Sequence, residues 1–408
     1  MKVAYVTPRY GVNVIGGAEA AARSLAEHLV NDLGHEAVVY TTCALDYVTW
    51  ADELEPGTEV INGVTVHRFL SDKGRNIEDE SLDRELWASP RSATYDEAMR
   101  WVKQCGPITG DLLAALEETD ADVVSFYPYL YYMTVHGIAR MTKPTVLHPA
   151  AHDEPCLYLV PFEDVFSSAD AICYHTRAER SLVEHVMDVA QTPQIMLGLG
   201  TEVSSGGGRR GGEILGLGSR PYVVCVGRVD QQKGSVMLEE FFKEFKKLHP
   251  GPEALVFIGP NAAHIKSSDD VVIAGIVNED DKWDIITDAR CLISPSAMES
   301  FSLVLLEGWQ KRLPVMVNAS CAPTVEHVEI SNGGLIFDSF GTFEAGLRRL
   351  LHDESLRHQL GDNGYDYVET HFSWPVLIRR YEGFLNEVIA RGRTLPDPDL
   401  PLLAPFLR

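Results

Sequence analysis

What the chain has little of narrows the possibilities first. It is short of positive charge, with 35 Lys and Arg against 59 Asp and Glu and a net charge of −24. That balance argues against a nucleic-acid or anionic-membrane binder, and it means that an anionic substrate has to be held by a few locally placed cations. No apolar run approaches the ~18 residues that would span a bilayer. The seven cysteines, at positions 43, 105, 156, 173, 225, 291 and 321, contain no C-x-x-C pair. Their scatter and odd number predict buried thiols in a reducing compartment, and hence a cytoplasmic protein. Strand signal begins at Lys2, which leaves no room for a signal peptide. The dinucleotide fingerprint G-x-G-x-x-G is absent from the first strand-to-helix turn, which weakens a nicotinamide or flavin reading.

What remains is enough for two domains. The chain has 408 residues, 45% of them hydrophobic and 23% charged, so ordinary cores can be buried. Lys2–Thr7, Ala18–Val30 and Glu36–Thr41 read as strand, amphipathic helix and strand. This is one β-α-β unit and predicts an open parallel sheet of the Rossmann kind. The loop before the helix carries Gly16 and Gly17, a plain turn or a loop that lets backbone approach a ligand. Glu59–Ile61, Asn62-Gly63 and Val64–Phe69 predict a hairpin. Residues 71–108 look like an insertion, either beside an acceptor or a helical decoration carrying Trp87 and Trp101.

Further along, Asp120-Ala121-Asp122 has the letters of a D-x-D metal motif. It falls at the start of a strand, the wrong end for a ligand in an open sheet, so no metal is expected there. Tyr127-Pro-Tyr129-Leu-Tyr-Tyr follows the next strand end; it could stack on a sugar or lipid, or pack in the core. His148-Pro-Ala-Ala-His152-Asp153-Glu154 follows another. No further His or Cys stands at ligand spacing, so zinc is not expected, but a His beside a carboxylate can exchange protons with a substrate near neutral pH.

Residues 198–220 hold the one Gly/Ser-rich stretch and read as a linker between domains 1–197 and 221–374. After it the β-α pattern restarts with Pro221–Val226. The next loop, Gly227-Arg228-Val-Asp-Gln-Gln-Lys233-Gly234, sets two cations at a strand's C-terminal end, an anion site or ordinary surface charge. Then comes Pro295-S-A-M-Glu299-Ser300-Phe301-Ser302-L-V-L-L-Glu307, ending at Leu313-Pro314-Val315. Ser300 or Ser302 can cap a helix that Pro314 stops. Eight residues at ~100° leave Glu299 and Glu307 about 80° apart around the axis, and the helix tip between them offers free N–H groups. One carboxylate for sugar hydroxyls, one for a ribose and amides for a diphosphate suit a sugar nucleotide; ordinary helix-end carboxylates are the competing reading. A last helix, residues 375–390, is expected to cross back over domain one, and the tail from Thr394 to lie unstructured or bound to the surface.

Four pieces in this order resemble retaining glycosyltransferases of family 4: Gly16-Gly17-Ala18-Glu19, His152-Asp153-Glu154-Pro155, Gly227-Arg228 with Lys233-Gly234, and P-S-x-x-E-S-F-S-L-V-L-L-E. The resemblance covers nearly the whole chain. It implies an α/β protein of GT-B fold, two Rossmann-like doubly wound parallel-sheet domains facing across a cleft. It implies transfer of a sugar from a nucleoside diphosphate, UDP or GDP, to a hydroxyl acceptor, a glycan, lipid-linked sugar or small molecule, with retention and without a metal or other cofactor. Arg228 and Lys233 would hold the diphosphate and stabilise the departing nucleotide. Glu299 would bind sugar hydroxyls beside Ser300, Phe301 and Ser302, and Glu307 the ribose. Gly16 and Gly17 would let the first loop approach the phosphates. His152 would sit at the reacting carbon, with His148 the other candidate; Tyr127, Tyr129, His148 and Asp153 are candidate acceptor contacts. Two positions depart from the family pattern: Ser302 and Arg312 stand where glycine is usual. A sugar-nucleotide epimerase of the same architecture, or a non-catalytic nucleotide-sugar-binding protein, are the alternatives.

Overall fold

The computed structural model describes residues 1–14, 16–75, 81–202 and 204–394. The tail expected to be unstructured lies beyond them, apart from Thr394. Two compact units emerge, one formed by Met1–Gly198 with the chain from Leu377 onward, the other by Leu199–Val376.

The first unit is built on an eight-stranded sheet among the described residues. Its strands are β1 (Lys2–Val6), β2 (Glu36–Thr42), β3 (Gly57–Ile61), β4 (Val64–Phe69), β5 (Val123–Phe126), β6 (Thr145–Leu147), β7 (Ala171–Tyr174) and β8 (Gln194–Met196). Their order is β3-β4-β2-β1-β5-β6-β7-β8. All neighbours run parallel except β3 against β4, the Asn62-Gly63 hairpin at the edge. The central strands are buried along nearly their whole length and are mostly apolar, as expected of a parallel sheet covered on both faces. The insertion is a helical decoration over its described residues: Trp101 packs edge-on against Phe162 in the core, while Trp87 is exposed.

The helix Trp374–Arg391 enters this unit at Leu377. Tyr381 is buried, with its hydroxyl 3.1 Å from Ser125 Oγ and 3.2 Å from His148 Nε2. Arg393 then donates to Asp170 and to the carbonyls of Ser168 and Ile138, which pins the helix end.

The second unit holds a six-stranded parallel sheet among the described residues. Its strands are β9 (Tyr222–Val226), β10 (Ala254–Ile258), β11 (Val271–Gly275), β12 (Leu292–Ser294), β13 (Val315–Asn318) and β14 (Gly334–Phe337), in the order β11-β10-β9-β12-β13-β14. The reversal between β9 and β12 is a switch point, where open α/β sheets bind ligands at the C-terminal strand ends.

The Gly/Ser-rich stretch differs from the linker expected of it. The amides of Gly208 and Arg209 donate to the Asp284 carboxylate, and Gly211 donates to Asp288. A Cβ on Gly211 would lie 2.3 Å from the Tyr222 hydroxyl. Gly206 and Gly211 are there for close packing against the helix Glu279–Asp288, and Gly208 for a left-handed φ of +74°; the stretch is part of the second unit.

Candidate active site

In the second unit the β9 strand ends at Gly227, and the loop to the helix Ser235–Leu248 carries Arg228, Asp230 and Lys233. Asp230 organises it. One oxygen accepts the Lys233 N–H at 2.7 Å, and the other takes the Arg228 guanidinium. Gly234 follows with φ +74°, and a Cβ there would sit 2.5 Å from the Pro295 carbonyl oxygen. Glycine is therefore required twice, by the left-handed turn and by the contact. That contact lays the Arg228–Lys233 loop directly on the Pro295–Ser302 loop. Asn318 on β13 donates to the same Pro295 carbonyl at 3.0 Å and fixes it from the other side.

The result is that Lys233 Nζ lies 2.7 Å from Glu299 Oε1. Both side chains retain access to solvent. Glu299 comes from the loop before the helix Leu303–Gln310, and Glu307 from inside that helix. Glu307 is 14% exposed and accepts from Lys282 at 3.0 Å through Oε1. Its Oε2 is buried with no hydrogen-bond partner among the described residues. Burial raises the Glu307 pKa, with Lys282 pulling it back. Burial lowers that of Lys282, but Glu307 and Glu279 outweigh it and leave it raised.

Ser302 takes the N-cap position of this helix with φ +76°, and its side chain makes no cap bond. It is 9% exposed, and Oγ has no hydrogen-bond partner among the described residues. Arg312 also has positive φ, +54°. The two sites where glycine was usual are thus left-handed, the conformation in which glycine is free and other residues are strained. The Phe301 ring is no donor contact: it is buried edge-on against His327 and Phe372 and anchors the loop to the core.

In the first unit the loop after β1 runs to Gly16 and Gly17 at the start of the helix Gly17–Asn31. A Cβ on Gly16 would fall 2.1 Å from Glu19 Oε2, whereas Gly17 has open space. Gly16 is demanded by packing and Gly17 leaves the backbone approachable. Beneath them lies a buried ion pair, Arg9–Glu19, with Arg9 Nη1 also donating to the Leu45 carbonyl at 2.8 Å.

The two histidines separate clearly. His148 is fully buried, stacked on Tyr127 at 4.0 Å, and burial holds its pKa well below the usual value. His152 retains 30% side-chain exposure, with Nδ1 3.6 Å from Glu154 Oε1. Only His152 of the pair is reachable by a substrate. The aromatic residues after β5 correct the acceptor expectation: Tyr127 and Tyr129 are both fully buried, the latter packed against Phe162 and bonded to Glu154. They are core, as is His148. Asp153 accepts from the Tyr158 hydroxyl at 2.6 Å.

Asp120 pairs with Lys2 Nζ, and Asp122 accepts the Lys2 N–H at 2.7 Å. The D-x-D letters are strand-end ties. Among the described residues no cluster of three or more His, Cys, Asp or Glu could hold a metal. None of their helices is long and apolar enough to cross a membrane.

Asp230, Lys282 and Arg9 were not singled out from sequence. Asp230 lies three residues before Lys233, the spacing of an Asp-to-backbone turn, which was a usable signal. Lys282 reaches Glu307 across 25 positions, with no local pattern to mark it.

Two parallel-sheet α/β units of this kind define a GT-B fold, the fold of many sugar-transferring enzymes. Residues 213–367 match the family of glycosyl transferases group 1. Along 92% of its length the chain is 21% identical to an uncharacterized glycosyltransferase of Methanocaldococcus jannaschii, covering 95% of that protein. It is 28% identical to a D-inositol 3-phosphate glycosyltransferase of Acidothermus cellulolyticus over 64% of this chain and 62% of the other. In structure it resembles the trehalose-6-phosphate protein of E. coli bound with UDP-2-fluoro glucose, with a TM-score of 0.69 at 12% identity, covering 95% of this chain and 99% of that one. Together these matches support a glycosyltransferase.

Proposed function

We propose that the protein is a retaining glycosyltransferase of the family 4 kind that moves a sugar from a nucleoside-diphosphate sugar to a hydroxyl acceptor. The observation that carries this reading is the gathering of Arg228, Lys233 and Glu299 at the C-terminal end of β9, with Glu307 inside the helix that follows the Glu299 loop. Arg228 and Lys233 bind the diphosphate and neutralise the charge that develops as its bond to the anomeric carbon breaks. The N–H groups at the tip of the helix Leu303–Gln310 add to that field. Glu299, held by Lys233, accepts from the sugar hydroxyls. Glu307 Oε2 accepts from a ribose hydroxyl, which satisfies an otherwise unpartnered oxygen.

The acceptor attacks from the face of the leaving group, so no protein nucleophile is needed. The cations supply the charge stabilisation for which other transferases use a divalent ion, and the reaction is metal-independent. His152 and the Gly16-Gly17 turn are assigned to the reaction on the family resemblance; both lie in the first unit, where His152 keeps solvent access and Gly17 has open space beside it. UDP is the favoured nucleotide, because the structural neighbour named above carries a UDP-sugar. The scatter and odd number of the seven cysteines are the ground for a reducing, cytoplasmic setting.

Incubating the protein with UDP- and GDP-sugars, with and without alcohol acceptors and with chelator, tests this. Acceptor-dependent release of nucleoside diphosphate that survives chelation is expected. Conversion of the donor to an epimer without acceptor would replace the reading with an isomerase.

A further inference from the structure

The first unit contains a buried carboxylate to which the proposed chemistry gives no direct part. Glu179 lies in the first turn of the helix Arg177–Val186 and is 1% exposed. Its two oxygens are used on backbone: Oε1 accepts the Ala151 N–H at 2.8 Å and Oε2 the His175 N–H at 2.6 Å. Its own N–H is capped by Thr176 Oγ1 at 3.1 Å. One carboxylate therefore ties the loop after β6 to the turn after β7. Charge-assisted bonds of this kind are among the stronger ones available.

The loop it holds is strained and carries His152. Ala150 has φ +52°, a left-handed conformation that costs an alanine about 1–2 kcal/mol. A strained conformation persists only where its surroundings over-determine it. The tie falls on Ala151, between the strained residue and His152. We propose that Glu179 is a positioning residue: by accepting the Ala151 and His175 amides it fixes the left-handed turn at Ala150 and, through it, the place of the His152 imidazole. This rests on the reading that His152 stands at the reacting carbon.

The test uses the full chain in acceptor-dependent transfer, with kcat and donor KM measured separately for His152→Ala and Glu179→Gln. Glutamine keeps one acceptor oxygen and loses the other. Glu179→Gln is expected to lower kcat about 10-fold or more, leave donor KM within about twofold, and shift the His152 imidazole NMR resonances, assigned by their loss in His152→Ala. Should Glu179→Gln fail to fold, Ala150→Val, which puts a β-branched residue at the left-handed position, is expected to show the same split. Wild-type kcat in the folded variant alongside a His152→Ala that has lost activity overturns the proposal. A His152→Ala enzyme with wild-type kcat overturns the reading of His152 itself, and the proposal with it.

Discussion

Lys233 and Glu299, 66 positions apart in the chain, meet at 2.7 Å. Neither residue's own loop would achieve this: Gly234 makes it possible by lying against the Pro295 carbonyl, where a side chain has no room. Lys233→Ala leaves Glu299 without its cation, and Glu299→Ala leaves the lysine without its anchor. Each variant is expected to lose on the order of 10²–10³ in kcat/KM for transfer, the scale of removing one preorganised electrostatic group. The double variant is expected to lose far less than the product of the two, because the pair acts as a unit. Steady-state kinetics on the four proteins checks this, and additive losses would show that the two act independently.

Glu307 and Lys282 make a separate prediction about binding. Glu307→Gln keeps the shape of the side chain but weakens both its hold on Lys282 and its acceptance of a ribose hydroxyl. Nucleoside diphosphate affinity is expected to fall by about 10- to 100-fold, the scale of a hydrogen bond to a charged group. Calorimetric titration reads it directly, and an unchanged Kd would remove the ribose from Glu307.

Ser302 and Arg312 predict gains in stability. Glycine at either position relieves left-handed strain of about 1–2 kcal/mol, offset by roughly 0.4–1 kcal/mol of added freedom in the unfolded chain. Ser302→Gly also removes a buried hydroxyl without a partner. Arg312→Gly gives up an exposed ion pair with Asp362 and a stacking contact with Tyr365. Ser302→Gly is therefore expected to raise the urea midpoint more than Arg312→Gly. The reverse order would contradict the account of strain at the helix tip.

Much of this was legible in the sequence, and the failures have identifiable causes. The alternation of buried apolar strands with helices reports parallel sheets directly, since both faces of such strands are covered. The P-S-x-x-E to E stretch was legible because its loop and helix are contiguous. The Gly/Ser-rich stretch misled because glycines needed for close packing against Asp284 and Tyr222 have the same composition as a flexible linker. Tyr127 and Tyr129 misled because an aromatic run at a strand end reads alike whether its rings face solvent or core. Glu179 showed only the Thr176-x-x-Glu179 spacing of a helix start; that its carboxylate would turn to the Ala151 and His175 amides had no local pattern.

Acid stability follows from the buried histidines. Burial pushes His136, His175 and His327 down to about 4 and holds His148 well below the usual histidine value. Their folded values lie below the unfolded one, so the unfolded chain takes up protons first and stability is lost as pH falls from about 6.5 to 4. Each of the three held at about 4 has lost on the order of 2 kcal/mol of stability by pH 5. Glu179 runs the other way: burial raises it to about 7, and its contribution is lost as pH rises from about 4.5 to 7. Glu307, also raised by burial, runs the same way as Glu179, and the four histidines outweigh these two carboxyls. Urea unfolding is expected to show a lower midpoint at pH 5 than at pH 7.5, and an equal or higher one would mean that these histidines are not held neutral.

The most direct test of the central claim is a thermal-shift panel of uridine, guanosine, adenosine and thymidine diphosphates on wild type, Arg228→Ala and Lys233→Ala. A ligand that binds only the folded protein raises its midpoint with occupancy. One nucleoside diphosphate, UDP first among them, is expected to raise the wild-type midpoint by several degrees and to lose that effect in both variants. No shift with any of the four, or the same shift in all three proteins, would show that the cations at the end of β9 do not hold an activated sugar.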